Sequence, residues 1–197
     1  VPTVELAGLY TGMIPESLDG FDEKVRRDVV RTQQFLLNTM AYTADPALTP
    51  LVVGELDNGE PDVRMAALFA LSRMGDRAAV PPLAEHLRSP VAEERWLTIG
   101  ALGKIGGPDA MDAIAGLLGG DDSIDHRNAV LALAANGDVR ATEPLKAMLD
   151  RESYAGDPGL THEDYAGSDE ATRQAARANT VDQFLVNAAR AAASLGD

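Results

Sequence analysis

The residues best suited to proton transfer or metal binding in this chain are three histidines, His86, His126 and His162. They are scattered. A protein metal centre needs imidazole and carboxylate ligands in numbers, brought to one place. One His-Glu pair occurs, His162-Glu163, in a stretch without helical period. A second group is acidic: Asp150, Glu152, Asp157, Glu163, Asp164, Asp169 and Glu170 crowd one segment. Calcium takes about six to eight oxygens and loops can supply them, but the spacing of an EF-hand is missing. Serine, histidine and aspartate occur without a G-x-S-x-G elbow. Gly106-Gly107 and Gly119-Gly120 end helices instead of opening one towards a phosphate, and neither precedes Lys-Ser or Lys-Thr. With no cysteine, disulfides, thiolate ligands and cysteine nucleophiles are excluded. The inventory predicts a chain with no catalytic residues, no metal ligands and no cofactor.

Charge narrows the partners. Lys and Arg number 17 against 31 Asp and Glu, a net charge of −14 over 197 residues. Such a surface repels a phosphate backbone, so no nucleic-acid partner is expected. No apolar run approaches the roughly 18 residues that span a bilayer. The opening "VPTVELAG" lacks an initiator methionine, which reads as removal of an initiator, a tag or a signal peptide. On that basis export to a bacterial periplasm is favoured over the cytoplasm. Apolar residues make up 45% and aromatics 5%, so the interior is expected to close through Ala and Leu on closely spaced helices.

The elements that must carry these residues are written as a repeat. Residues 70–87 read "ALSRMGDRAAVPPLAEHL" and residues 101–118 read "ALGKIGGPDAMDAIAGLL". Gly75, Gly106 and Gly137 are spaced 106−75=31 and 137−106=31, and 75−31 lands on Ala44, followed by Asp45. Leu71, Leu102 and Leu133 share a position, as do Leu83, Ile114 and Leu145, and Leu87, Leu118 and Leu149. Within a unit, Val63, Ala67, Ala70, Leu71 and Met74 recur at helical spacing. Gly75 supplies a left-handed stop. A second helix follows late, near Ala79, because Pro81 and Pro82 suit only a first turn. A helix pair of about 31 residues cannot bury its own apolar side, so stacked neighbours must complete the burial. The expected fold is all-α, an α-α superhelix of about four helix pairs over 21–150 plus a final half repeat.

"DVRMAALFALSRMGDRAAVPPLAEHL" resembles the HEAT-like repeat of the phycobilisome-lyase type, with an Arg near the first helix start, an "A-x-x-A-L" stripe and a "G-D" turn. Arg64 and Arg95 fill the Arg position, and His126 stands there in the next unit, with Arg127 one place late. The resemblance implies a solenoid fold and, since such repeats serve many roles, little about activity. The matched positions are apolar spacers, so no lyase residue is carried over. HEAT-like deoxyhypusine hydroxylases hold two irons on His-Glu dyads at helix starts; here Arg127 follows His126 where Glu would be required, and that activity is excluded. Lesion recognition of the HEAT-like glycosylase type would need a basic groove, against which the net charge argues.

Outside the array, residues 1–20 lack the period and read as an arm or cap. Residues 151–179 read as an irregular acidic insertion, and 180–197, "TVDQFLVNAARAAASLGD", as the first helix of a last partial repeat ending on Gly196-Asp197. A half repeat exposes an unfinished face, which either the insertion covers by folding back as the missing layer or self-association or another chain covers. Partner contacts are expected on two surfaces. Met65, Phe69, Trp96 and Leu131 are read as an apolar strip on the first helices, at positions that would ordinarily be polar. On the second helices the exposed rows are read as Ala78, Asp109, Arg140; Pro81, Asp112, Glu143; and Glu85, Gly116, Ala147. Asp112 and Glu143 there would suit a basic or extended segment. The expected function is a non-catalytic protein-interaction or scaffold module, acting alone or as a subunit of a larger complex. Its alternative is a metal- or ligand-binding enzyme or accessory that uses the acidic insertion.

Overall fold

Each amphipathic stretch of the repeat forms a helix, and the helices come in pairs. The computed structural model describes residues 3–120, 123–157, 160 and 165–195, which contain helices and connecting turns but no strand. In chain order the helices are α1 (Thr3–Met13), α2 (Glu23–Thr43), α3 (Thr49–Gly54), α4 (Pro61–Met74), α5 (Val80–His86), α6 (Ala92–Ile105), α7 (Pro108–Ala115), α8 (Ser123–Ala135), α9 (Thr142–Met148) and α10 (Glu170–Leu195). The chain divides into two compact units, Val1–Ile105 and Gly106–Asp197. Among the described residues no helix is long and apolar enough to cross a membrane.

A first helix must stop and reverse before its partner can begin. Left-handed backbone does this at Ala44 (φ 49°), Gly75 (67°), Gly106 (68°) and Gly137 (70°), the four positions 31 apart. The next residue caps the following turn: Asp45, Asp76 and Asp138 accept the N–H of Ala47, Ala78 and Arg140. Gly107 replaces that Asp once, and α7 starts directly on Pro108. Elsewhere a 3-10 turn leads in, as at Arg77–Ala79 before α5, which explains the late start signalled by Pro81-Pro82.

In the first unit the first helices α2, α4 and α6 pack side by side, with α3 against α4 and α5 against α6. Leu37, Met40, Val52, Val63, Leu68, Leu71, Leu83, Ile99 and Leu102 are fully enclosed. Each such side chain contributes about 1.5–3 kcal/mol relative to exposure. The arm of the sequence reading is a helix: α1 packs on α2 and buries Leu6 and Tyr10. In the second unit α8 packs against α7, α9 and α10. Ile114, Val130, Leu133, Leu145 and Ala188 form its centre.

Two expectations are corrected here. The insertion is not irregular to residue 179, because α10 begins at Glu170 and Asp169 caps it through the Thr172 N–H. The third shared apolar position also fails, since Leu118 is half-buried and Leu149 is exposed. Leu149 follows the last turn of α9, where the chain leaves the repeat and no further second helix covers it. Gly196-Asp197, His162, Glu163 and Asp164 lie outside the described residues.

Ala44 is the one described non-glycine residue with positive φ, a conformation that costs an L-residue about 1–2 kcal/mol. Ala44→Gly relieves it while loosening the unfolded chain, so a net gain of about 0.5–1 kcal/mol is expected in urea unfolding. Gly75→Ala is expected to lose a similar amount.

Candidate functional site

The repeat's Arg position does two jobs, one backward and one forward along the chain. Backward, residues 33, 64, 95 and 126 each hold the preceding segment. Gln33 donates to the Tyr10 hydroxyl at 3.3 Å. Arg64 donates to the Asn58 carbonyl at 2.8 Å and Arg95 to the Ser89 carbonyl at 3.2 Å. His126 Nδ1 lies 3.0 Å from the Leu118 carbonyl. Forward, Arg64 meets Glu94 at 2.7 Å and Arg127 meets Asp157 at 2.7 Å, both 30 residues on. His126 and Arg127 thus divide between them what Arg64 does alone. That explains the one-place offset in the sequence.

Glu94 is the most deeply buried carboxylate described, and Arg64, Ser89 and His86 surround it. Arg64 Nε and Nη2 each reach Oε1 at 2.7 Å, and the Ser89 hydroxyl donates to Oε2 at 2.7 Å. His86 Nε2 stands 3.1 Å from Oε2, close enough for an ion pair but outside hydrogen-bond geometry. Burial raises the Glu94 pKa, but hydrogen bonds from Arg64 and Ser89, with the positive charge of Arg64 and His86, outweigh it. The carboxyl titrates below its ordinary 4.5. A cleft of about 540 Å³ opens beside the cluster, lined among others by Leu56, Asn58, Arg64, His86, Ser89 and Glu94. Its charged groups face each other, so the arrangement works as a clamp that fixes one repeat on the next.

The second clamp is built on aromatic rings. The Arg127 guanidinium lies 4.5 Å from the Tyr154 ring and 5.7 Å from the Phe184 ring. The two rings are 6.4 Å apart and inclined by 25°. Asp157 neutralises this buried cation and also accepts from the Ser123 hydroxyl at 2.9 Å. Arg177, on α10, donates to the Tyr154 carbonyl at 2.6 Å. Three other described acids of the segment are engaged as well. Asp150 and Asp169 cap turns, and Glu170 holds Arg173 and Gln174. Among the described residues no group of three His, Asp or Glu stands in position to hold a metal.

The expected partner residues fall on different ground. Phe69 is on the solvent crest of α4 and exposed, whereas Met65, Trp96 and Leu131 are only half-exposed. Trp96 Nε1 is enclosed and has no hydrogen-bond partner. The position after the Arg is half-buried at Met65 and Trp96, so apolar residues there are partly withdrawn from water. All nine residues assigned to the exposed rows of the second helices are exposed. Their charges are partly spent: Asp112 pairs with Arg140 and Glu143 with Lys146, both at 2.7 Å. Sequence reasoning missed the fuller crest. Phe35 and Tyr42 on α2 are 68% and 71% exposed, and Leu97 on α6 is exposed too. Arg73, one turn after Phe69, stacks 4.5 Å over the Tyr42 ring and 5.9 Å from the Phe69 ring. Extending the 31-residue rows to Tyr42, Arg73 and Lys104 would have found it.

Glu94→Gln leaves Arg64 without its counter-charge and is expected to cost about 3 kcal/mol in urea unfolding. A carboxyl whose pKa is lower folded than unfolded stabilises fully above the unfolded value and loses that contribution as pH falls through the folded one. Wild type should therefore lose stability below about pH 4.5, and the Gln variant should lack that portion of the loss.

With this geometry in view, comparison with known families finds the HEAT repeats model matching residues 16–96 and 87–156. Comparison with curated proteins gives no match. The match concerns HEAT repeats in general and carries no phycobilisome-lyase assignment. Covering most of the chain, and coinciding with the left-handed turns and Arg clamps, it shows that this chain belongs to the HEAT-repeat family.

Proposed function

We propose that this chain is a non-catalytic interaction module that holds another protein, as HEAT repeats generally do. One observation carries the reading: large aromatic side chains stand in water on packed, rigid helices. Phe35, Tyr42 and Phe69 are exposed, while buried Glu94 is committed to Arg64 and buried Gln33 to Tyr10. Exposed aromatic surface on a rigid scaffold is characteristic of protein contact sites. The partner is a protein, because a chain of net charge −14 repels nucleic acid. Self-association through α10 has less support, since Asp182, Gln183, Asn187 and Arg190 stand on its solvent side, where Val186 is the large apolar side chain and the other apolar residues are alanines.

The alternative, a metal- or ligand-dependent enzyme or accessory using the acidic segment, is weakened by the engagement of Asp150, Asp157, Asp169 and Glu170 as caps and ion pairs. Native co-purification followed by reconstitution from purified components, with mass measured in solution, tests the proposal. A stoichiometric complex is expected. A strictly monomeric protein that reconstitutes with nothing contradicts it, and stoichiometric iron, manganese or calcium in the native protein would favour the alternative.

A further inference from the structure

The solvent crest of the first helices in the first unit is aromatic and cationic together. On α2 it carries Phe35 and Tyr42, on α4 Phe69 and Arg73, and on α6 Leu97 and Lys104. Phe35, Tyr42, Phe69 and Leu97 are exposed, and Arg73 and Lys104 are exposed as well. Tyr42, Arg73 and Lys104 share one repeat position, since 73−42=31 and 104−73=31. Neither cation forms an ion pair among the described residues. By contrast Arg26, Arg64, Arg127, Arg140 and Lys146 are each paired with an acid. Exposed Arg31, Arg77 and Arg88 form no ion pair among the described residues either, so what sets this crest apart is the pair of exposed rings under Arg73. Arg73 is also ordered by its rings, with its guanidinium lying on Tyr42 and Phe69. A stacked guanidinium loses less side-chain freedom on pairing with a carboxylate. The nearest exposed acids on this crest, Asp62 and Glu93, lie two to three turns towards the helix starts, which confines the cationic patch to the C-terminal half of the helices.

Resting on the interaction-module reading, we infer that this crest docks a short acidic segment of a partner protein that also carries apolar side chains. The carboxylates pair with Arg73 and Lys104, and the apolar side chains lie over Phe35, Tyr42, Phe69 and Leu97. Neighbouring helices sit about 8–10 Å apart, so the two carboxylates are separated by about three residues of an extended chain. Charge complementarity selects this occupant over a basic segment.

The test uses the full chain and fluorescein-labelled synthetic peptides, one of Glu and Phe, one of Lys and Phe, and one of Glu and Ser. Anisotropy is expected to show binding of the Glu-Phe peptide alone, weakened by salt. Arg73→Glu combined with Lys104→Glu should weaken it at least about tenfold, and Phe69→Ala should weaken it too. All three positions are exposed, so unchanged circular dichroism and melting serve as the folding control. No binding of the Glu-Phe peptide, equal binding of the Lys-Phe or Glu-Ser peptide, or indifference to the charge reversals overturns the inference. So does a dimer of this chain that the same reversals dissolve, because the crest would then be occupied by a second copy. If the charge-reversed protein still assembles with its reconstituted partner, the crest is wrong and the interaction-module reading stands. A protein that reconstitutes with nothing removes that reading itself.

Discussion

A helix pair of this size has more apolar surface than it can cover alone, and the burial of one first helix against the next meets that deficit. Ala67, Ala70 and Leu71 on α4 are closed off completely, and α4 has α2 on one side and α6 on the other. Small side chains let the helices approach closely, and tight packing then makes any slip costly. The turns serve this contact. Four left-handed positions reverse the chain at equal intervals, and within the first unit α2, α4 and α6 come to lie side by side.

Polar groups refine the register that packing allows. Arg64 grips the loop behind it through the Asn58 carbonyl and the repeat ahead through Glu94. An enclosed ion pair adds little net stability over a well-packed apolar pair, because desolvation offsets the attraction. Its effect lies in what it forbids: a shifted repeat would strand Glu94 or Arg64 without a partner. In the second unit the same task falls to Arg127, held between Tyr154 and Phe184 and neutralised by Asp157. The acidic segment thus supplies a structural counter-ion, and its Tyr154 shields the cation together with Phe184 of α10.

The sequence was most legible where the period operates. The 31-residue step places a turn at Ala44-Asp45, where the backbone is left-handed, and the exposed rows of the second helices follow from the same step. Legibility failed where a helix lacks an apolar stripe. Only Leu6 and Tyr10 anchor α1, too few to show a period. The first part of α10, "EATRQAARANT", is polar all round, and only its helix-forming composition and the Asp169 cap betray it. Trp96 misled for another reason. Its ring is half-buried with an enclosed Nε1, and periodicity separates inside from outside without resolving such an intermediate position. The aromatic crest was missed because the reading followed the Arg position and not the row through Tyr42, Arg73 and Lys104.

Rigid repeats that spend their inner charges on one another leave the outer ones free to meet a partner, so the clamp is the point on which structure and function join. A double-mutant cycle on Arg64 and Glu94, each replaced by Ala and followed by urea unfolding, measures it most directly. A coupling energy above about 1.5 kcal/mol is the predicted result. Additive losses, equal within about 0.5 kcal/mol, would contradict it and show that packing alone sets the register.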